Sequence, residues 1–259
     1  METALITGAS SGIGEAFARE LAAQKTNLIL VARSEDKLNQ LAQQLQGQFN
    51  IQTEVIGQDL GESEAANTLF HQVDRLGLGV DLLINNAGFG DYGAFGDRPL
   101  DKQIEMIQLN ITALVGLTGL FLPGMKQRGS GSIINVSSIA GFQPLPYMSV
   151  YAATKAFVLN FTEALWAENK NSGVRFLSLC PGPTESQFFQ IAEFPTSFGG
   201  KNNNNMTSAD EVVKDALKAL EKNQSTIVTG GLGNQLVVNI PRFLPRDWLV
   251  GAVEKQFRH

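Results

Sequence analysis

A strand-like run, Thr3-Ala4-Leu5-Ile6-Thr7, leads without a break into Gly8-Ala9-Ser10-Ser11-Gly12-Ile13-Gly14 and then into a helical pattern. In that pattern Ile13, Phe17 and Leu21 recur every fourth residue, which predicts a helix over 12–25. Glycines at 8, 12 and 14 let the backbone turn tightly and approach a ligand, while the helix start offers free N–H groups and positive dipole character. A strand, glycine turn and helix in this order suit a dinucleotide pyrophosphate. The Gly-Lys-Ser/Thr ending of a nucleotide-triphosphate loop is missing. Gly8, Ser10, Ser11, Gly12, Ile13 and Gly14 are therefore candidate cofactor contacts.

The alternation continues. Further strands are expected at 27–32, 52–58, 80–85, 132–137, 174–180 and 226–228, with helix-length segments between them. Continuous apolar strands separated by crossover helices imply an α/β, doubly wound parallel sheet of about seven strands with helices on both faces. At 259 residues, one domain over 1–259 is expected. A lid is expected around 184–207, where Phe-rich sequence gives way to Asn202-Asn203-Asn204-Asn205, and a tail around 230–259. Ser208-Ala209-Asp210-Glu211 reads as a capping box, with Val212, Val213, Ala216, Leu217 and Leu220 on the inner face of the helix that follows. Residues 246–257 are expected to form an amphipathic helix.

Composition excludes several classes. The net charge of −5, with the signs interspersed, argues against nucleic acid as the main partner. Cys180 is the only cysteine, and His71 and His259 show no ligand spacing, so no metal site and no Ser-His-Asp hydrolase is expected. A strand, not a targeting segment, opens the chain, and no apolar run reaches the eighteen or so residues of a spanning helix. The expectation is a cytoplasmic protein without an integral membrane segment.

Tyr151-Ala152-Ala153-Thr154-Lys155 places a phenol and an ammonium one helical turn apart. At roughly 4 Å and an effective dielectric of about 20 their attraction is ~4 kcal/mol, enough to lower a phenol by two or three pKa units. Taken with Thr7–Gly14, Asn85-Asn86-Ala87-Gly88, Asn110 and Ser138, this segment resembles the short-chain dehydrogenase/reductase family, in order over 3–185. The resemblance implies a Rossmann-type sheet and a hydride-transferring oxidoreductase that interconverts alcohols and carbonyls with NAD(H) or NADP(H).

Under that resemblance Asn110, Ser138, Tyr151 and Lys155 are the catalytic set. Tyr151 would be the acid or base. Lys155 would tune it and hold the nicotinamide ribose, Ser138 would bond the substrate oxygen, and Asn110 would fix a relay water. The family's thirteen-residue interval to Tyr151 selects Ser138 over Ser137. Asp59 and Leu60 resemble the adenine contacts, and Asn86, Ala87 and Gly88 the adenosine side. Pro181, Gly182 and Thr184 resemble the turn over the nicotinamide, although Ser186 stands where the family often has threonine. Relatives often pair into dimers or tetramers through helices like those around 104–120 and 149–169.

The end of the second strand holds Ala32 and Arg33 where NAD binders place an acid. With no carboxylate there and a guanidinium next door, NADP(H) is expected to be preferred, NAD(H) remaining possible. Glu35 and Asp36 read as first-turn helix acids. Phe89, Phe142, Phe188, Phe189, Phe194 and Phe198, with Tyr147 and Met148, suggest an apolar small-molecule pocket in which Ser138, Phe142, Tyr151 and Phe188 meet the substrate. Two other readings stay open: a regulatory protein that binds a dinucleotide without turnover, and a lyase, isomerase or epimerase on the same fold.

Overall fold

The computed structural model describes residues 2–195 and 206–258. Seven parallel strands, β1 (Thr3–Thr7), β2 (Asn27–Ala32), β3 (Thr53–Gly57), β4 (Leu82–Asn85), β5 (Gly131–Val136), β6 (Val174–Cys180) and β7 (Thr226–Val228), form one sheet in the order β3-β2-β1-β4-β5-β6-β7. The order reverses between β1 and β4, which opens a crevice at their carboxyl ends. This is the Rossmann-type doubly wound sheet.

Alternation along the strands explains why they read as unbroken apolar runs. Ala4, Ile6, Leu28, Leu30, Ile84 and Ile134 face one core with α1 (Gly12–Ala23), α2 (Glu35–Phe49) and α8 (Ala209–Glu221). Leu5, Ile29, Val31, Leu83, Ile133 and Phe176 face the other, with α3 (Ala65–Arg75) and α5 (Leu114–Arg128). A strand buried on both faces has no polar side to show. Buried methionine, aromatic and aliphatic groups around Met106, Met148 and Tyr151 form a third cluster beside the crevice.

Between α4 (Leu100–Ile107) and α5 the helix widens into a π-turn over Gln108–Ala113, and Pro123 lies inside α5. Residues 100–128 together form 29 helical residues long and apolar enough to span a bilayer by length and composition, which the sequence pattern did not anticipate. Leu114, Leu117, Thr118, Phe121 and Met125 are instead buried, and α5 packs beside α3. One face of α5 packs on the sheet.

Four strands fall on their expected bounds, and the ends of β3, β4 and β5 shift by one or two residues. The first helix stops at Ala23 rather than 25, because Lys25 adopts a left-handed φ of 66° and turns the chain into β2. Ser208 Oγ accepts the Glu211 N–H at 3.2 Å, and Val212, Val213, Ala216 and Leu220 are buried as expected. Cys180 is a buried free thiol. The tail comprises α9 (Gly231–Asn239), a 3-10 turn (Ile240–Arg242) and α10 (Arg246–Phe257). The base of the expected lid is closed by the Thr184–Thr207 bridge, with Thr207 donating to Pro183 and accepting from Glu185, both at 3.0 Å. Phe198 and the Asn202–Asn205 run lie outside the described residues.

Candidate active site

The crevice is a cleft of about 750 Å³, floored by the glycine turn at one end and walled by apolar side chains at the other. Gly8 and Gly12 have φ values of 66° and 56°, which side-chain-bearing residues rarely adopt. A side chain at Gly14 would run into the Gly8 carbonyl, so Gly14 seats α1 against the turn and does not itself face the cleft. Ser11, at the helix start, makes no side-chain cap, leaving the first N–H groups of α1 without a capping side chain. Ser10, Ser11, Gly12 and Ile13 line the cleft there. Such a cradle fits a pyrophosphate.

Thr7 ties the turn to the end of β4. Its Oγ1 accepts from Asn86 N at 2.9 Å and Ala87 N at 3.0 Å, and Asn86 Nδ2 donates to the Thr7 carbonyl at 2.9 Å. Asn86, Ala87 and Gly88 thereby line the cleft, as do Asp59 and Leu60 from the loop after β3. The role of Thr7 was not legible in sequence, because its partners lie 79 and 80 positions away.

On the rim, Ala32 and Arg33 line the cleft, and Arg33 is exposed with its guanidinium 3.7 Å from Asp59. Glu35 folds back over Gly57 and neither it nor Asp36 lines the cleft. Lys37 does line it. It stands in the first turn of α2, and the turn at Ser34 carries it to the rim beside Arg33.

At the far end α6 (Ser149–Glu168) carries Tyr151 and Lys155, and Ser138 caps the 3-10 turn Ile139–Phe142 by accepting from Ala140 N at 3.1 Å. Ser138 and Tyr151 line the same stretch of the cleft, and the Ser138 hydroxyl acts to lower the Tyr151 phenol. Ser137 also lines the cleft, but its hydroxyl is taken up by donating to the Lys155 carbonyl at 2.7 Å. Lys155 Nζ donates to the Val136 carbonyl at 2.8 Å and sits 5.7 Å from the Tyr151 ring centroid.

This geometry corrects the simple ion–phenol argument. Burial pushes the Tyr151 phenol up to about 12 despite the opposing effect of the Ser138 hydroxyl. Burial likewise brings Lys155 down to about 8, the nearby Cys180 acting the other way. Desolvation wins because both groups leave water and the ammonium is directed at a backbone carbonyl instead of the phenol oxygen. The phenol is thus held protonated at neutral pH.

Asn110 occupies the π-turn behind the cleft and does not line it. Its Oδ1 accepts from Phe89 N at 3.1 Å, while its Nδ2 donates to Phe89 O at 3.0 Å and Thr154 Oγ1 at 3.1 Å. A side chain at Gly88 would come within 2.8 Å of the same Oδ1. Asn110 therefore clamps the Gly88–Phe89 strand end onto α6.

Pro181, Gly182 and Thr184 line the cleft after β6, and Thr184 Oγ1 donates back to the Gly182 carbonyl at 2.9 Å. Ser186 also lines the cleft, its hydroxyl accepting from Phe188 N at 3.3 Å. Asn234 of α9 fills the space a side chain at Gly182 would need, and anchors itself to the Thr229 carbonyl at 2.8 Å. Gln256 and Phe257 of α10 complete the wall. Nothing local in the sequence marks these three, since only the fold returns the tail to the cleft.

Phe89, Phe188, Phe189, Phe194 and Met148 line the cleft, and the Phe188 ring lies 5.2 Å from that of Tyr151. Phe142 does not. The 3-10 turn leaves the wall after Ala140, and the chain rejoins it at Gln143 and Leu145, so Leu145 lines the cleft where Phe142 was expected to. Glu193 faces Arg98 and Lys102 rather than the cleft, and Glu185 is not in its wall. Among the described residues no cluster of His, Cys, Asp or Glu is arranged to hold a metal.

A family model for the short chain dehydrogenases matches residues 2–193. The chain belongs to that family. Membership makes it an oxidoreductase of CH–OH and C=O groups. This short-chain dehydrogenase is 34% identical over 254 residues to the very-long-chain 3-oxoacyl-CoA reductase of Mus musculus, spanning 96% of this chain and 77% of that one. A short-chain dehydrogenase from Sphingobium yanoikuyae, solved in complex with NADPH, matches with a TM-score of 0.83 and 31% identity over 99% of this chain and 94% of its own. A 7beta-hydroxysteroid dehydrogenase matches with a TM-score of 0.87 and 28% identity over 97% and 96%.

Proposed function

We propose that this short-chain dehydrogenase is an NADP(H)-preferring reductase of apolar ketones or aldehydes, with Tyr151 as proton donor. The observation that carries the reading is the Ser138–Tyr151–Lys155 cluster at the apolar end of a cleft whose other end is a glycine cradle. The cofactor, when bound, supplies the hydride. The protein's part is to hold the carbonyl oxygen and to deliver a proton to it.

Ser138 and Tyr151 both line this end of the cleft, where their hydroxyls would serve a developing alkoxide. Burial keeps the phenol protonated, which favours reduction as the direction in which it can act at neutral pH. Lys155, lowered to about 8, is still mostly charged at pH 7 and steadies negative charge formed nearby. Asn110 acts at one remove, fixing the backbone beside Lys155.

Preference for the 2′-phosphate rests on Arg33 and Lys37 on the rim with Ala32 where a carboxylate would repel it. The NADPH complex of the Sphingobium relative supports the same reading. The apolar substrate class rests on Phe89, Leu145, Met148, Phe188 and Phe194, and on relatives named for a steroid and a long acyl chain.

The test is NADPH oxidation, beside NADH, against a panel of hydrophobic ketones and aldehydes. Carbonyl-dependent NADPH loss that disappears in Tyr151→Phe is the expected result. Tight NADPH binding without carbonyl-dependent oxidation would favour the regulatory reading instead.

A further inference from the structure

Seven of the fourteen exposed large apolar side chains among the described residues fall within positions 232–248. Phe243 is 84% exposed, Leu232 79%, Trp248 77% and Leu236 64%. Leu232, Leu236 and Ile240 share one outer face, at fourfold spacing along α9 and the turn that follows, while Val238 on the opposite side is buried. Phe243, Leu244 and Pro245 form the turn into α10, and Trp248 stands in its first turn. A patch of this kind, in one continuous stretch, is more than the scattered exposed leucines of an ordinary surface.

The charge around the patch is as uneven as its polarity. The chain carries −5 overall, yet within 232–248 a single exposed acid, Asp247, stands against Arg242 and Arg246. Arg242 and Arg246 are exposed and flank Phe243 and Leu244. Neither forms an ion pair among the described residues, whereas Arg258 farther along is tied to Glu254.

We propose that the 232–248 rim is an interfacial docking surface for an anionic lipid membrane. Aromatic and aliphatic groups would enter the headgroup–acyl boundary while Arg242 and Arg246 meet the lipid phosphates. A second copy of the chain is the other occupant, which the test below tells apart. Asn234 and Val237 of α9 line the cleft from the same helix, so docking brings the cleft mouth beside the bilayer. The proposal does not depend on which substrate the cleft takes.

Sedimentation with sucrose-loaded vesicles of phosphatidylcholine, with and without phosphatidylserine, tests this on the full chain. Wild type is expected to bind the phosphatidylserine vesicles, and less so as salt rises. Phe243→Glu/Trp248→Glu should lower that affinity about 100-fold, two large groups being withheld from the boundary. Arg242→Glu/Arg246→Glu should remove the preference for phosphatidylserine, about 30-fold. Thermal unfolding checks that each variant is folded, and the salt dependence of wild type stands if one is not. Wild type that sediments with neither vesicle overturns the proposal. So does a wild-type dimer, seen by light scattering, that the Phe243→Glu/Trp248→Glu variant converts to monomer while neither protein binds vesicles.

Discussion

Tyr151 and Lys155 show burial outweighing charge at single residues. The phenol is raised to about 12 and the ammonium lowered to about 8, both mainly by desolvation. Tyr151→Phe is expected to cut carbonyl reduction by about 10²–10⁴-fold while leaving dinucleotide affinity nearly unchanged, as separate rate and binding titrations would show. Because kcat/KM reports the free enzyme, it should decline as pH rises through about 8, where Lys155 loses its proton. A lysine whose folded pKa lies below its unfolded value binds fewer protons when folded, so stability rises with pH between about 8 and 10.5. Lys155→Met should therefore abolish reduction at pH 7 yet not lower the Tm; a clear drop would refute the desolvation argument. On the rim, Arg33→Ala should weaken NADPH binding at least tenfold more than NADH binding, a charge-assisted phosphate contact being worth about 1.5–3 kcal/mol. Equal losses would remove the basis for NADP preference.

Among elements, the segment carrying Phe188 is held by an ion cluster and not by its own helix, α7 (Phe188–Ile191), which is a single turn. Asp91, fully buried, accepts from Arg98 Nε at 2.7 Å and Gln103 Nε2 at 2.6 Å, with Lys102 Nζ at 2.7 Å. Arg98 and Lys102 reach on to Glu193 at 2.8 and 2.7 Å, pinning the chain just past α7 to α4. Burial pushes the Asp91 carboxyl up, but hydrogen bonds and charge from Arg98 and Lys102 outweigh it and hold the carboxyl below its usual value. A depressed carboxyl gives stability that is present above the ordinary carboxylate range and lost as pH falls below about 4. Asp91→Ala should cost about 3 kcal/mol in denaturant unfolding at pH 7, leaving two cations without their buried partner. The variant should also lose the steep fall in Tm below about pH 4 that wild type is expected to show.

Across the whole molecule, a buried polar ladder joins two helices of one layer to the middle of the sheet. Asn85 Nδ2 donates to Asn135 Oδ1 at 2.9 Å and Thr118 Oγ1 at 3.1 Å, and Asn135 Nδ2 donates to Thr162 Oγ1 at 3.0 Å. It links β4 and β5 to α5 and α6, the elements that bring Asn110, Ser138 and Tyr151 together. Asn135→Leu should destabilise the protein by about 2–3 kcal/mol, since Asn85 and Thr162 lose partners in a site closed to water. Asn135 offered no signal in sequence, being one polar residue inside an apolar strand. The parallel, doubly wound sheet, by contrast, followed from doubly buried apolar runs, and the glycine cradle from residues whose positive φ is a local requirement.

What the sequence determined by itself is what depends on near neighbours along the chain: strand and helix periods, the glycine turn, the Ser208 cap, and the pairing of Tyr151 with Lys155 on one helical turn. Arg33 joined them through its position at a strand end, and Ser138 through the family's interval to Tyr151. Tertiary structure alone decided which side chains the cleft includes. It brought in Lys37, Asn234, Gln256 and Phe257, left Phe142 and Gly14 out, and put Asn110 behind the wall. It also turned Lys155 toward the Val136 carbonyl and set both pKa values by burial. The reason is physical: desolvation and long-range contact are properties of packing, and no spacing along a chain encodes how much water a folded site excludes.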